Sequence, residues 1–450
     1  MKRGWKILVS VSLLLNLALM SYAAGAAEKS FSNTELSVAA FQGAYGRDYW
    51  DAAAAEFMKA YPGTKVTVQA DPQIGNQIRP QVVAGNPPDV IYLQVGERSG
   101  VTAGLIKEKG LTDLTGLFNA KALEGTGLLK DAILPGVLDT LTCSPYGDGK
   151  VYLAPYNYGV MGIWYNKNFF DKNGIKPPKT WDEFFALNET ARKHGRALFT
   201  YQGIYPGYLE EIVIPALYSA GGKDAVKKLT TYQAGLWTSD AAKKVLGTFE
   251  RIAKTENMLM KGTVALNHTQ SQTAFMQGKA MFIVNGSWFE SEMKDAPREE
   301  GFQFGFLGVP AFKAGDPLTC LISIEPVYIP ARAKNPELAK EFIRFLYAKK
   351  SIQLNAERAK GVFAAKGAVE LAKPYITESA YNCFKAVDQG MIPIEASLAP
   401  MAKGSKINIS DELYNPFSSI MNNELTAEQY AQNLEALYAR VRDEIAAAGQ

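Results

Sequence analysis

Two periods of hydrophobic and polar positions run through this chain. LSVAAF (36–41) is a short apolar run, and KVTVQA (65–70) alternates with the two-residue period of a half-buried strand. Between them Tyr49, Ala53, Phe57 and Tyr61 recur at helical spacing, which predicts a helix over 43–63 that Pro62-Gly63 ends. IGNQIRPQVVAG reads as a second helix. It leads to NPPDVIYLQ (86–94), where the proline pair forces an extended entry into a strand. This strand–helix–strand order predicts an α/β fold with a largely parallel sheet and helices on its faces.

Farther on, VYLAP and VMGIWYN flank Tyr156-Asn157-Tyr158-Gly159, one long extended segment with a polar, aromatic waist. Thr180 followed by Glu183 predicts a capping box at the next helix, with Trp181 and Phe185 packing on one face. Trp164, Tyr165, Phe169 and Phe170 also read as core. A mostly helical region runs to about 279. Strand-like GFQFGFLGVPAF (301–312) and CLISIEPVYIP (320–330) follow, then an amphipathic helical pair over 334–358 and helices to the end. No internal repeat stands out.

Composition changes this picture in three ways. Lys2, Arg3 and Lys6, an apolar run from Ile7 to Met20 and the small residues AAGAA (23–27) predict a secretory signal peptide. The run is shorter than the roughly 20 residues of a membrane helix. No cysteine stands at the cleavage point, so no lipid anchor is expected and a periplasmic address is. Second, removing residues 1–27 leaves 423 residues and takes the formal charge from +3 to 0, which gives no electrostatic reason to expect nucleic acid or an anionic membrane as partner. That length suggests two domains. Third, Cys143, Cys320 and Cys383 fit three buried thiols better than a metal motif, and His194 and His268 share no helix face. No metal and no cofactor are expected.

Four segments in order carry a family resemblance: AGNPPDV (84–90), KVYLAPYNYGVMGIWYNKNFFDKNGIKPPKTWDEF (150–184), AFMQGKAMFIVNGSWF (274–289) and PELAKEFIRFL (336–346). Together the chain resembles the family 1 extracellular solute-binding proteins of carbohydrate ABC importers, the maltose-binding-protein-like group. Loops 94–100 and 200–211 follow no pattern assignable to one sugar. The resemblance implies a periplasmic-binding-protein-like type II fold: two α/β lobes joined by hinge crossovers, with a ligand cleft that closes on solute. Lobe 1 would hold 28–156 and 319–364, and lobe 2 would hold 157–312 and 365–450. It also implies a monomer that takes a sugar and hands it to membrane permease subunits.

A sugar offers hydroxyls that need donors and acceptors, and C–H faces that lie on aromatic rings. Trp288, just past the strand AMFIVNG, is the first candidate platform; otherwise it covers the strand top. Tyr205 and Tyr208, in a connector with proline and glycine, are a second. Tyr156 and Asn157 reach a ligand from the hinge or pack it. Gln94, at a strand's carboxyl end, and Phe41, Gln42 and Tyr45, in the first β–α turn, are either ligand contacts or solvated loop residues. Glu325 interrupts an apolar run, so it faces a cleft or pairs with a lysine. Two rival readings stay open. A secreted carbohydrate-active enzyme would need two facing carboxylates, and no nucleophile elbow, zinc signature or phosphate loop is present. A receptor of the same fold for a polyamine would need cleft carboxylates; one for ferric ion would need clustered Tyr, His and carboxylate.

Overall fold

The computed structural model describes residues 31–43, 45–97, 99–402 and 404–449. The expected signal peptide, residues 1–27, lies outside them. The strands, in chain order, are β1 (Glu35–Phe41), β2 (Lys65–Asp71), β3 (Val90–Tyr92), β4 (Leu153–Asn166), β5 (Ala197–Thr200), β6 (Ala280–Gly286), β7 (Phe304–Gly308), β8 (Thr319–Tyr328) and β9 (Ile392–Ile394). The chain divides into two compact units. Of the described residues, one unit holds those up to Tyr158 and Ile324–Ile376, and the other holds those of Gly159–Ser323 and from Thr377 onward. Three chain crossings therefore connect them, two inside the long strands β4 and β8.

In the first unit β1 lies parallel to both β2 and β3, and β3 pairs antiparallel with the second half of β8. The helix Asp48–Ala60 buries Tyr49, Trp50, Ala53, Ala54 and Phe57, the stripe predicted by the periodicity. It starts at Asp48 and not at 43. A side chain at Gly43 would overlap the Phe41 ring, and Gly46 has φ +66°, so neither glycine is part of the helix. The motif NPPDV has a structural cause. Asp89 is buried, accepts from Ser37 N–H (2.9 Å), Ser37 Oγ (2.7 Å) and Asn335 N–H (2.9 Å), and so ties β1, the start of β3 and the helix Pro336–Leu346 together.

In the second unit β4 pairs antiparallel with β6 and β7, while β5 runs parallel to β6 and β9 parallel to the first half of β8. The pairing is mixed, not largely parallel, because β4 runs against β6 and β7, and β8 runs against β3. β5 and β9, both short, stand in regions expected to be mostly helical. Around the strands pack helices Glu210–Thr230, Asp240–Lys254 and Ala427–Ala447, with Trp164, Phe170, Trp237, Phe249 and Tyr438 in the core. Trp181 is buried, with the Phe185 ring 6.0 Å away as expected and the Phe184 ring at 5.3 Å. Thr180 caps Glu183 N–H, but the Glu183 carboxylate takes the Lys179 N–H (2.6 Å), so the box closes one residue early. The helix breaks at Leu187 into Trp181–Ala186 and Asn188–Lys193. All three cysteines are buried thiols.

Candidate functional site

In the first unit the candidate residues gather at the carboxyl ends of the parallel strands β1 and β3, where open α/β sheets take ligands. The register pairs Tyr92 with Val327. Two residues on, Gln94 comes opposite Glu325 and its Nε2 donates to the carboxylate at 3.2 Å. The Tyr92 hydroxyl donates to the other oxygen. Glu325 thus pairs with a tyrosine and an amide, and among the described residues it has no lysine partner. The lysine expectation is corrected: at this strand position neutral donors face the charge. Burial raises the Glu325 carboxyl above its ordinary range, against the pull of Tyr92 and Gln94. Tyr45 is half-buried, and its hydroxyl is raised by burial and then by the Glu325 charge. Phe41 and Gln94 line a depression of about 370 Å³ with Gln73, Asn76, Glu97 and Ser99. Gln42 is exposed at the mouth of the turn, its N–H bonded to Asp71 (3.2 Å).

In the second unit the aromatic candidates follow the carboxyl ends of the parallel pair β5 and β6. Thr200, the last residue of β5, is opposite Ile283, and β6 runs on to Gly286 before its loop begins. The loop after β5 carries Tyr205 and the one after β6 carries Trp288. Tyr205 is 46% exposed and Trp288 37%, unusual for rings that normally pack inside. The turn before Trp288 is pinned, since Ser287 N–H donates to Val160 O at 2.8 Å. Tyr208 is half-buried. Burial, and then the charges of Glu292 and Glu211, push its hydroxyl up to about 12. Gln272 is buried and donates to Glu292 at 3.3 Å. His268 faces the Tyr205 ring at 5.6 Å, and His194 lies edge-on to Phe169 at 5.1 Å. Among the described residues no three His, Cys, Asp or Glu side chains could hold a metal ion together.

Tyr156 and Asn157 are interior residues of the first unit. The Tyr156 hydroxyl donates to Asn355 Oδ1 (2.6 Å), and Asn157 accepts from Asn355 Nδ2 (2.8 Å). The Tyr156 ring packs between Tyr49, Trp50, Tyr92 and Phe363. Of the two roles considered for this pair, the structure shows the packing one. The sequence reading missed four buried polar groups at the ends of β5 and β6 and on nearby helices. Gln202 Oε1, Gln272 Oε1, Asn285 Nδ2 and Glu211 Oε2 lack a hydrogen-bond partner, which is costly unless water or ligand supplies one. For Gln202 and Asn285 the available signal was a polar residue at or just past a strand's carboxyl end, as in FTYQG and IVNG.

Residues 43–353 match the family model described as bacterial extracellular solute-binding protein. A diacetylchitobiose binding protein of Streptomyces coelicolor is 31% identical over 327 residues, 71% of this chain and 67% of that protein. A multiple sugar-binding protein of Streptococcus mutans is 25% identical over 225 residues, 49% of this chain and 53% of that protein. Among solved structures, the ligand-free RafE of Streptococcus pneumoniae superposes with a TM-score of 0.71 at 18% identity, covering 92% of this chain and all of that one. RafE in complex with raffinose gives 0.62, also at 18%, covering 90% and 100%. These structures share the fold.

Proposed function

The chain belongs to the bacterial extracellular solute-binding proteins, and we propose that within this family it captures a short saccharide for an ABC importer and passes it to the membrane permease. It binds and does no chemistry. One observation carries the saccharide reading: two partly exposed rings, Tyr205 and Trp288, follow the carboxyl ends of adjacent parallel strands. Rings there suit the C–H faces of a pyranose. The unpartnered amide atoms Gln202 Oε1, Gln272 Oε1 and Asn285 Nδ2 suit its hydroxyls. In this reading Trp288, Tyr205 and Tyr208 act from the second unit, and Phe41, Gln42, Tyr45, Gln94 and Glu325 from the first. Tyr156 and Asn157 hold the strand from inside. Export to the periplasm as a monomer belongs to the same proposal. It rests on the basic start and apolar run of the first 27 residues.

Glu325 favours a second reading, an amine-bearing solute, because the carboxylate has no cationic partner among the described residues. One experiment separates the two. The melting temperature is measured with diacetylchitobiose, raffinose, melibiose and spermidine. A saccharide at a hundred times its dissociation constant should stabilise the fold by about 2.7 kcal/mol. A shift with spermidine and none with any saccharide would overturn the first reading in favour of the second.

A further inference from the structure

The Trp288 ring rests on backbone. A methyl group built at Gly286 would lie 2.5 Å from Trp288 Cζ2 and nearer still to Cζ3 and Cη2. One built at Gly159 would lie 3.2 Å from Cζ3 and 3.0 Å from Ser323 Oγ. The register explains why both glycines sit beneath one ring. Met161 is opposite Gly286 on the antiparallel pair β4–β6, so continuing outward brings Gly159 opposite Trp288. Bonds between Ser287 and Val160 (2.8 and 3.4 Å) fix the two chains at that point. Neither glycine has positive φ, so backbone conformation does not demand glycine at either position. The ring does.

We infer that Gly159 and Gly286 are positioning residues, which fix the Trp288 indole as a one-faced platform and leave its other face for a ligand. This rests on the proposal that Trp288 touches the saccharide. The consequence for recognition is geometric. An indole held on two bare backbone segments cannot rotate toward them and cannot be sandwiched. It offers a single flat face in one orientation, so a sugar stacks on one side only. A side chain at position 286 would lift the ring without removing it.

The test uses Gly286→Ala, the milder Gly159→Ala, Trp288→Ala and the pair Gly286→Ala/Trp288→Ala. Trp50, Trp164, Trp181 and Trp237 are at most 3% exposed, so iodide quenching of the emission that Trp288→Ala removes reports on this ring. Lifting the ring should increase that quenching in Gly286→Ala. Affinity for diacetylchitobiose, measured by calorimetry, should fall at least tenfold, and the same substitution should cost nothing further in the Trp288→Ala background. Gly159→Ala should act in the same direction more weakly, and it serves as the test if Gly286→Ala fails to fold. Unchanged quenching, or an equal affinity loss with and without Trp288, would overturn the positioning role. If Trp288→Ala leaves affinity intact, the platform reading itself fails, while the quenching still decides whether the glycines place the ring.

Discussion

At the scale of single residues, charge is the sharpest lever. Glu210 and Glu211 open the helix Glu210–Thr230 just after the Tyr205–Tyr208 connector. Burial pushes the Glu210 carboxyl up to about 7, partly opposed by a hydrogen bond with Tyr414, and Glu211 is raised by burial and by its neighbour's charge. Below pH 4.5 Glu210 is protonated whether the chain is folded or not. As pH rises toward 7, the unfolded chain loses this proton while the folded one keeps it, so this group's contribution to stability falls. Glu210→Gln has no such loss. The melting temperature of Glu210→Gln minus that of the parent should therefore grow between pH 4.5 and 7 and then level off. A difference that is flat with pH would mean that Glu210 titrates normally. Legibility at this scale was uneven. Trp288 stood out because a large ring just past a polar turn is misplaced for a core. Tyr156 and Asn157 looked equally polar and aromatic, but their partner Asn355 is 198 residues from Asn157, and no local pattern announces it.

Elements were read more surely than residues, because periodicity is a local signal of burial. The stripe Tyr49, Ala53, Phe57 and the amphipathic pair Pro336–Leu346 and Lys349–Ala359 are present where the pattern put them. What failed was direction and detail. Antiparallel pairing of β4 with β6 and β7 depends on partners about 120 to 140 residues away, and β5 is only four residues long, too short for its alternation to be distinctive. The contact between β4 and β7 gives a prediction of its own. A methyl group at Gly162 would lie 2.9 Å from Gly308 Cα and 3.1 Å from its carbonyl carbon. Backbone cannot step aside as a side chain can. The pair is already irregular between Ile163 and Trp164. Gly162→Ala should cost about 1–3 kcal/mol, the usual range for overpacking, seen as a lower denaturant midpoint with an unchanged slope. No change in midpoint would show that the strands part easily there.

For the whole molecule, the order of segments along the chain decides what each unit can survive. Both parts of the first unit lie before Thr377, whereas the second unit needs residues on either side of that point. Its later part supplies core and not merely cover. Phe417 packs on Phe249 with ring centroids 4.9 Å apart, Tyr438 packs on Trp237 at 5.7 Å, and the Tyr438 hydroxyl donates to Leu229 O at 2.8 Å. Losing Phe417 and Tyr438 at about 3–5 kcal/mol each is already comparable to the about 5–15 kcal/mol by which a domain is ordinarily stable. The first unit keeps its own core: Ile74, Ile78, Ile91, Leu105 and Tyr328 are all retained. A chain stopped after Ile376 should therefore lose the second unit and keep the first. Hydrogen exchange reads this directly. Amides of the helix Asp48–Ala60 should stay protected, and those of the helix Asp240–Lys254 should exchange as in an unfolded chain. If 240–254 stays protected, the C-terminal helices are cover and not core. If 48–60 is lost too, the first unit's core is not enough to hold it folded once the rest is gone.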